Sequence, residues 1–105
     1  MIVLDTSGLL AAIDGAQRFH EAVRAVVERD PGPFLLSPFV LAETDYLLAT
    51  RVGVDAELAL LREVAARAYE LVPFGPGEVA EATDLIEQYR PLGIGLADAS
   101  VVVVA

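Results

Sequence analysis

Four apolar residues, Met1-Ile2-Val3-Leu4, run without a break into Asp5, two hydroxyls and Gly8. An uninterrupted apolar run suits a strand covered on both faces, as in a parallel sheet, because a strand with one wet face alternates instead. In open α/β sheets, ligands lie beyond the carboxyl ends of the strands. Asp5 stands at that place, so the opening residues set both the architecture and the position of any site.

The rest of the chain supplies what such a strand needs. Residues 6–14 read as a short helix with Thr6 or Ser7 as its N-cap and Leu9, Leu10 and Ile13 as its stripe. A second helix is expected over 17–29, with Phe19, Val23, Val26 and Val27 at helical spacing. Asp30-Pro31-Gly32-Pro33 breaks it, and Phe34-Leu35-Leu36 forms a short strand. Ser37-Pro38 then pairs a capping hydroxyl with the residue best suited to the first helical position. That third helix covers 38–51. Asp55 caps a fourth to Ala68, with Leu58, Leu61, Ala65 and Ala68 on one face. Residues 69–73 form a third strand. Pro76 opens a fifth helix with Val79, Ala82, Ile86 and Tyr89 buried, 91–95 is a loop, and a sixth helix runs from Leu96.

The order β-α-α-β-α-α-β-α-α predicts one α/β domain over residues 1–105, a parallel sheet with helical crossovers. Two features make its C-terminal end look incomplete. Val101–Val104 are apolar on every side and should be buried, yet no C-cap follows. With the strands in simple succession, Met1–Asp5 becomes a flat apolar edge, which proteins normally cover. One or two further strands are therefore expected beyond Ala105.

Composition narrows the function. The chain has 105 residues, 55% of them hydrophobic, which excludes disorder. It has no cysteine, so disulfides and thiolate metal sites are excluded. No basic segment precedes the first apolar run, no stretch reaches membrane-spanning length, and a cytoplasmic location is expected. Sixteen acids face seven arginines, with no lysine, for a net charge of −9. Such a field repels nucleic acid at long range. A protein of this charge that handles nucleic acid needs metal ions or local arginines. Arginine alone favours bidentate phosphate contacts, although a GC-rich genome explains its use more simply.

Three acids stand in unusual contexts. Asp5 follows a strand and precedes a helix, where an aspartate is often only a cap. Thr6 and Ser7 offer that service instead. Glu43 shares a helical stripe with Val40 and Leu47, which points it towards the sheet, and a buried carboxylate requires a partner. It could otherwise lie at the stripe's margin or pair with Arg51 or Arg90. Asp98 opens an apolar helix, where the helix dipole alone favours an acid by about 0.3–1 kcal/mol. If the three converge, their repulsion needs a cation, and all-oxygen donors suit Mg²⁺ or Mn²⁺. His20 reads as a solvated surface residue, Gly93 and Gly95 as turn residues, and Phe39 and Tyr46 as packing.

Asp5-Thr6-Ser7-Gly8-Leu9-Leu10, Ser37-Pro38-Phe39-Val40-Leu41-Ala42-Glu43 and Leu96-Ala97-Asp98-Ala99-Ser100 together resemble the PIN-domain family. They look most like its VapC ribonuclease toxins, along essentially the whole chain. The resemblance implies a three-layer, flavodoxin-like parallel sheet with helices on both faces and the first strand central. It implies a Mg²⁺- or Mn²⁺-dependent endoribonuclease acting on RNA, a cognate VapB-like antitoxin, and a homodimer. Asp5, Glu43 and Asp98 match the family's first three metal-binding acids, with Thr6 or Ser7 in support. The family's fourth acid, at the end of a later strand, has no counterpart here. Two other readings compete. One is a non-catalytic module that binds an antitoxin or itself. The other is a phosphatase of the haloacid-dehalogenase type, disfavoured because Ser7 stands where that chemistry wants a second acid.

Overall fold

Among the described residues, three short parallel strands make the sheet: β1 (Ile2–Leu4), β2 (Phe34–Leu36) and β3 (Glu70–Leu71). Their order is β1-β2-β3, with Ile2 opposite Phe34, Leu4 opposite Leu36 and Leu36 opposite Leu71. The structure, a computed structural model, describes residues 1–14 and 20–105. Helices fill the intervals: α1 (Thr6–Ile13), α2 (His20–Arg29), α3 (Pro38–Arg51), α4 (Val54–Ala65), α5 (Pro76–Gln88) and α6 (Leu96–Val104). The parallel α/β architecture expected from the sequence is therefore present, with strands in simple succession. The resemblance implies a central β1, but among the described residues β1 pairs only with β2 and stands at the edge. The start of α2 expected at residue 17, and Phe19 with it, falls outside the described residues.

The core lies between the sheet and the helices that return over it. Leu9, Leu36, Val40, Leu48 and Leu60 are fully buried and pack together with Leu4, Leu10 and Tyr69. Burying such a side chain stabilises the fold by roughly 1.5–3 kcal/mol. Burial also pushes the Tyr69 hydroxyl up to about 12, helped by the charge of Glu63, to which it donates a hydrogen bond of 3.0 Å. Phe39 meets Phe74 edge to face at 4.8 Å, so its packing role holds.

Several expected faces turn out differently. In α4 the buried residue is Leu60, with Ala56 and Val64 beside it, whereas Leu58 and Leu61 are each 37% exposed. A run with leucines at 58, 60 and 61 fits more than one stripe, and packing against α3 selects among them. In α5 only Ala82 is buried, and Val79 and Tyr89 face outward. In α6 it is Ala99 and Ser100 that are buried, while Val102 is exposed. Tyr46 is exposed rather than packed. His20 is half-buried, donating from Nδ1 to the Ala11 carbonyl at 2.7 Å. Arg24 donates to the Ala12 carbonyl at 3.3 Å, so α2 satisfies the end of α1 with two side chains.

The end of α4 carries local strain. Arg67 has φ +65°, the left-handed region that non-glycine residues seldom occupy. Its N–H donates to the Val64 carbonyl and that of Ala68 to the Glu63 carbonyl, the paired bonds of a helix end normally closed by glycine. Arg67→Gly is therefore expected to stabilise the protein by roughly 0.5–1 kcal/mol, the relieved strain less the entropy of a freer unfolded chain. Urea denaturation checks this. A lower midpoint in the variant would mean that the Arg67 side chain contributes more than its backbone loses.

Candidate active site

Each candidate side chain is set by an element that the sequence starts at a defined place. β1 ends at Leu4 and Asp5 takes the N-cap of α1, its Oδ1 accepting from the Gly8 N–H at 2.6 Å. Thr6 and Ser7 lie in the first turn instead of capping it, contrary to the expectation. A Cβ on residue 8 would stand 3.0 Å from Asp5 Oδ1, so glycine at this position makes room for the carboxylate. Asp5 is thus a cap after all, with its second oxygen left for other work.

Ser37 caps α3, accepting from the N–H groups of Phe39 and Val40, and Pro38 follows. The buried side of this helix is Val40, Thr44 and Leu48, each four residues from the next. Glu43 therefore sits on the flank and is exposed, not directed into the sheet as expected. The i,i+3 relation to Val40 is equally consistent with a flank, because it turns the side chain by about 60°. Asp98 lies in the first turn of α6 and is exposed. A buried hydrogen bond of 2.6 Å between the Ser37 and Ser100 hydroxyls ties α3 to α6, and Ser100 also donates to the Ala97 carbonyl.

These elements bring the acids to one place. Asp5, Glu43 and Asp98 line a single cavity of about 280 Å³ at the carboxyl end of β1, with Thr6, Ser7 and Arg51 also in its wall. Leu10 and Leu47 also line it. Among the described residues, no ion pair joins Glu43 to Arg51 or Arg90. Arg90 pairs with Glu87 instead. No three acids close into a ready-made metal cage among the described residues. Among the described residues the wall is largely polar and open to solvent, with carboxylate and hydroxyl oxygens and the Arg51 guanidinium. Sequence reasoning treated Arg51 only as a possible counterion. Its signal was its place four residues beyond Leu47 and eight beyond Glu43, on the same side of the helix. A second carboxyl pair lies apart from the cavity. Glu57 of α4 is raised above the ordinary carboxylate range by a hydrogen bond to Asp45 of α3, then by burial and by the Asp45 charge.

Comparison with known proteins gives the fold a family. The PIN domain family model matches residues 2–105. Ribonuclease VapC26 of Mycobacterium tuberculosis is 47% identical over 104 residues, covering 99% of this chain and 77% of its own length. The crystal structure of Mycobacterium tuberculosis VapC20, a toxin that cleaves the sarcin-ricin loop, superposes with a TM-score of 0.91. It is 21% identical, and the match covers 99% of this chain and 80% of that one. That likeness bears on the fold, and the closer sequence match bears on kinship. With the family model spanning all but the first residue, this chain belongs to the PIN-domain family, in its VapC branch.

Proposed function

We propose that this protein is a divalent-cation-dependent endoribonuclease, the RNA-cleaving toxin of a type II toxin–antitoxin pair. The observation that carries the reading is the convergence of Asp5, Glu43 and Asp98, far apart in sequence, on one solvent-open cavity. The ribonuclease named among its relatives supports the reaction class. A VapB-like antitoxin, self-association as a homodimer and a cytoplasmic setting belong to the same proposal. Among the described residues no helix is long and apolar enough to cross a membrane.

The donor chemistry fits Mg²⁺ or Mn²⁺. Both favour carboxylate oxygen, and Mg²⁺ commonly uses only one or two protein carboxylates while keeping several waters. An open arrangement of acids, rather than a closed cage, is compatible with that habit. Asp5, through the oxygen not engaged by Gly8, would hold the ion together with Glu43 and Asp98. When bound, such an ion neutralises charge on a phosphodiester and lowers the pKa of water. The protein's own part is positional. The Asp5 carboxylate is fixed by its cap bond, Glu43 and Asp98 are held in relative register by the Ser37–Ser100 bridge, and Thr6 and Ser7 offer hydroxyls to orient substrate or water.

The test is thermal melting with and without Mn²⁺, paired with an RNA cleavage assay. A ligand that binds only the folded state at a hundred times its Kd adds about 2.7 kcal/mol. For a domain of this size that is a rise on the order of 10 °C. Glu43→Gln is expected to lose most of that rise. An equal rise in the variant would remove Glu43 from the site. Metal binding without cleavage of any RNA would favour the non-catalytic module instead.

A further inference from the structure

We infer that Arg51 is a phosphate-binding residue of the site, gripping the RNA backbone directly. This rests on the ribonuclease reading and names a residue that the three-acid scheme does not use. Among the described residues, Arg51 is the one positive group lining the cavity. Among the described residues its guanidinium forms no ion pair, although Asp5, Glu43 and Asp98 line the same space. An arginine consumed as a counterion would be paired with one of them. This one is exposed and open to a ligand.

Its placement follows from α3. Arg51 ends the helix about 12 Å along the axis from Glu43, and side chains on a helix lean back towards its N-terminus. Leu47 between them fills the wall and leaves both heads in solvent. The helix C-terminus favours a cation there, which stabilises the arginine without engaging its fork of donors. The wider charge pattern gives this position weight. The protein carries −9, so a polyanion approaches against repulsion. Arg24 and Arg90 are already paired with Glu28 and Glu87. A planar guanidinium beside the acids binds a phosphate through two parallel hydrogen bonds, whereas the acids need a cation to approach one at all.

The test measures RNA binding by fluorescence anisotropy against salt, in the Asp5→Asn background to prevent cleavage. Mn²⁺ binding is measured by calorimetry with Asp5 intact. Arg51→Gln is expected to weaken RNA binding about tenfold across unrelated sequences and to lower the salt slope by about 0.7, the loss of one phosphate contact on a single strand. The same substitution should tighten Mn²⁺ binding, because a positive charge leaves the acids' surroundings. Arg51→Lys should restore the slope but only part of the affinity, having charge without the fork. An unchanged slope in Arg51→Gln, with RNA bound by the Asp5→Asn parent, overturns the inference. A role as structural counterion would produce that result, with a lowered melting temperature. An unsubstituted protein that neither binds nor cleaves RNA overturns the ribonuclease reading and this inference together, whereas one that cleaves RNA, with the slope unaltered by Arg51→Gln, removes Arg51 alone.

Discussion

Replacing Asp5 with Asn is expected to reduce RNA cleavage by roughly a hundred- to a thousandfold or more, the scale seen when one charge-stabilising group is removed from an active site. The same change should leave the metal-free melting temperature almost where it was. Asparagine caps a helix about as well as aspartate, and the bond from the Gly8 N–H to Oδ1 can be kept. Asp5→Ala separates the two duties. It removes the cap as well and should destabilise the protein by about 1 kcal/mol. Initial cleavage rates with Mn²⁺ and melting curves in chelator decide the matter. If Asp5→Asn cleaves at the parent's rate, Asp5 is a cap and nothing more, and the proposed site loses its anchor.

Leu36→Ala should produce the largest loss of stability from a single side chain. Leu36 is fully buried on β2, the strand with a neighbour on each side. Its backbone pairs with Leu4 and Leu71, and its carbonyl accepts from Val72 at 2.9 Å. Truncation removes the transfer energy and leaves a cavity where three elements meet, for about 2–5 kcal/mol. Against a total of about 5–15 kcal/mol for a typical domain, that is a large share. Urea denaturation gives the value. A loss well below 2 kcal/mol would mean that the surrounding helices collapse into the space, and that the core is less tightly determined than its burial suggests.

The sheet was legible in the sequence because each strand is a short apolar run bounded by strong breakers. Met1–Leu4 stops at Asp5, and Phe34–Leu36 lies between Pro33 and Ser37-Pro38. Helix faces were less legible. Where alanine, valine and leucine crowd one segment, as in 54–65 and 76–88, several stripes satisfy the same period and the neighbouring helices decide. The capping of α1 was ambiguous for a related reason. Asp5, Thr6 and Ser7 are all good caps, and the choice follows from where β1 releases the chain. The acids stood out by their local contexts, and the resemblance to a family then gave them a shared role. Glu43 was chosen on the wrong physical ground, since it is exposed on a flank rather than buried on a stripe. Arg51 could have been singled out by projecting α3 as a wheel, where it falls on the side that carries Leu47 and Glu43.

The bridge between Ser37 and Ser100 spans 63 residues of sequence, which also gives it a meaning in time. Contacts between distant parts of a chain form only after the loop between them has closed, and that closure entropy is met before the contact can reward it. A chain emerging from the ribosome up to β3 already holds Asp5 and Glu43, but not the helix that carries Asp98. On the proposed reading, the cleft that cuts RNA comes into being only when residues 96–104 have emerged and docked. An unfinished chain on that reading holds two of the three acids and no cleft, so each copy acquires its activity only at the last step of its own folding.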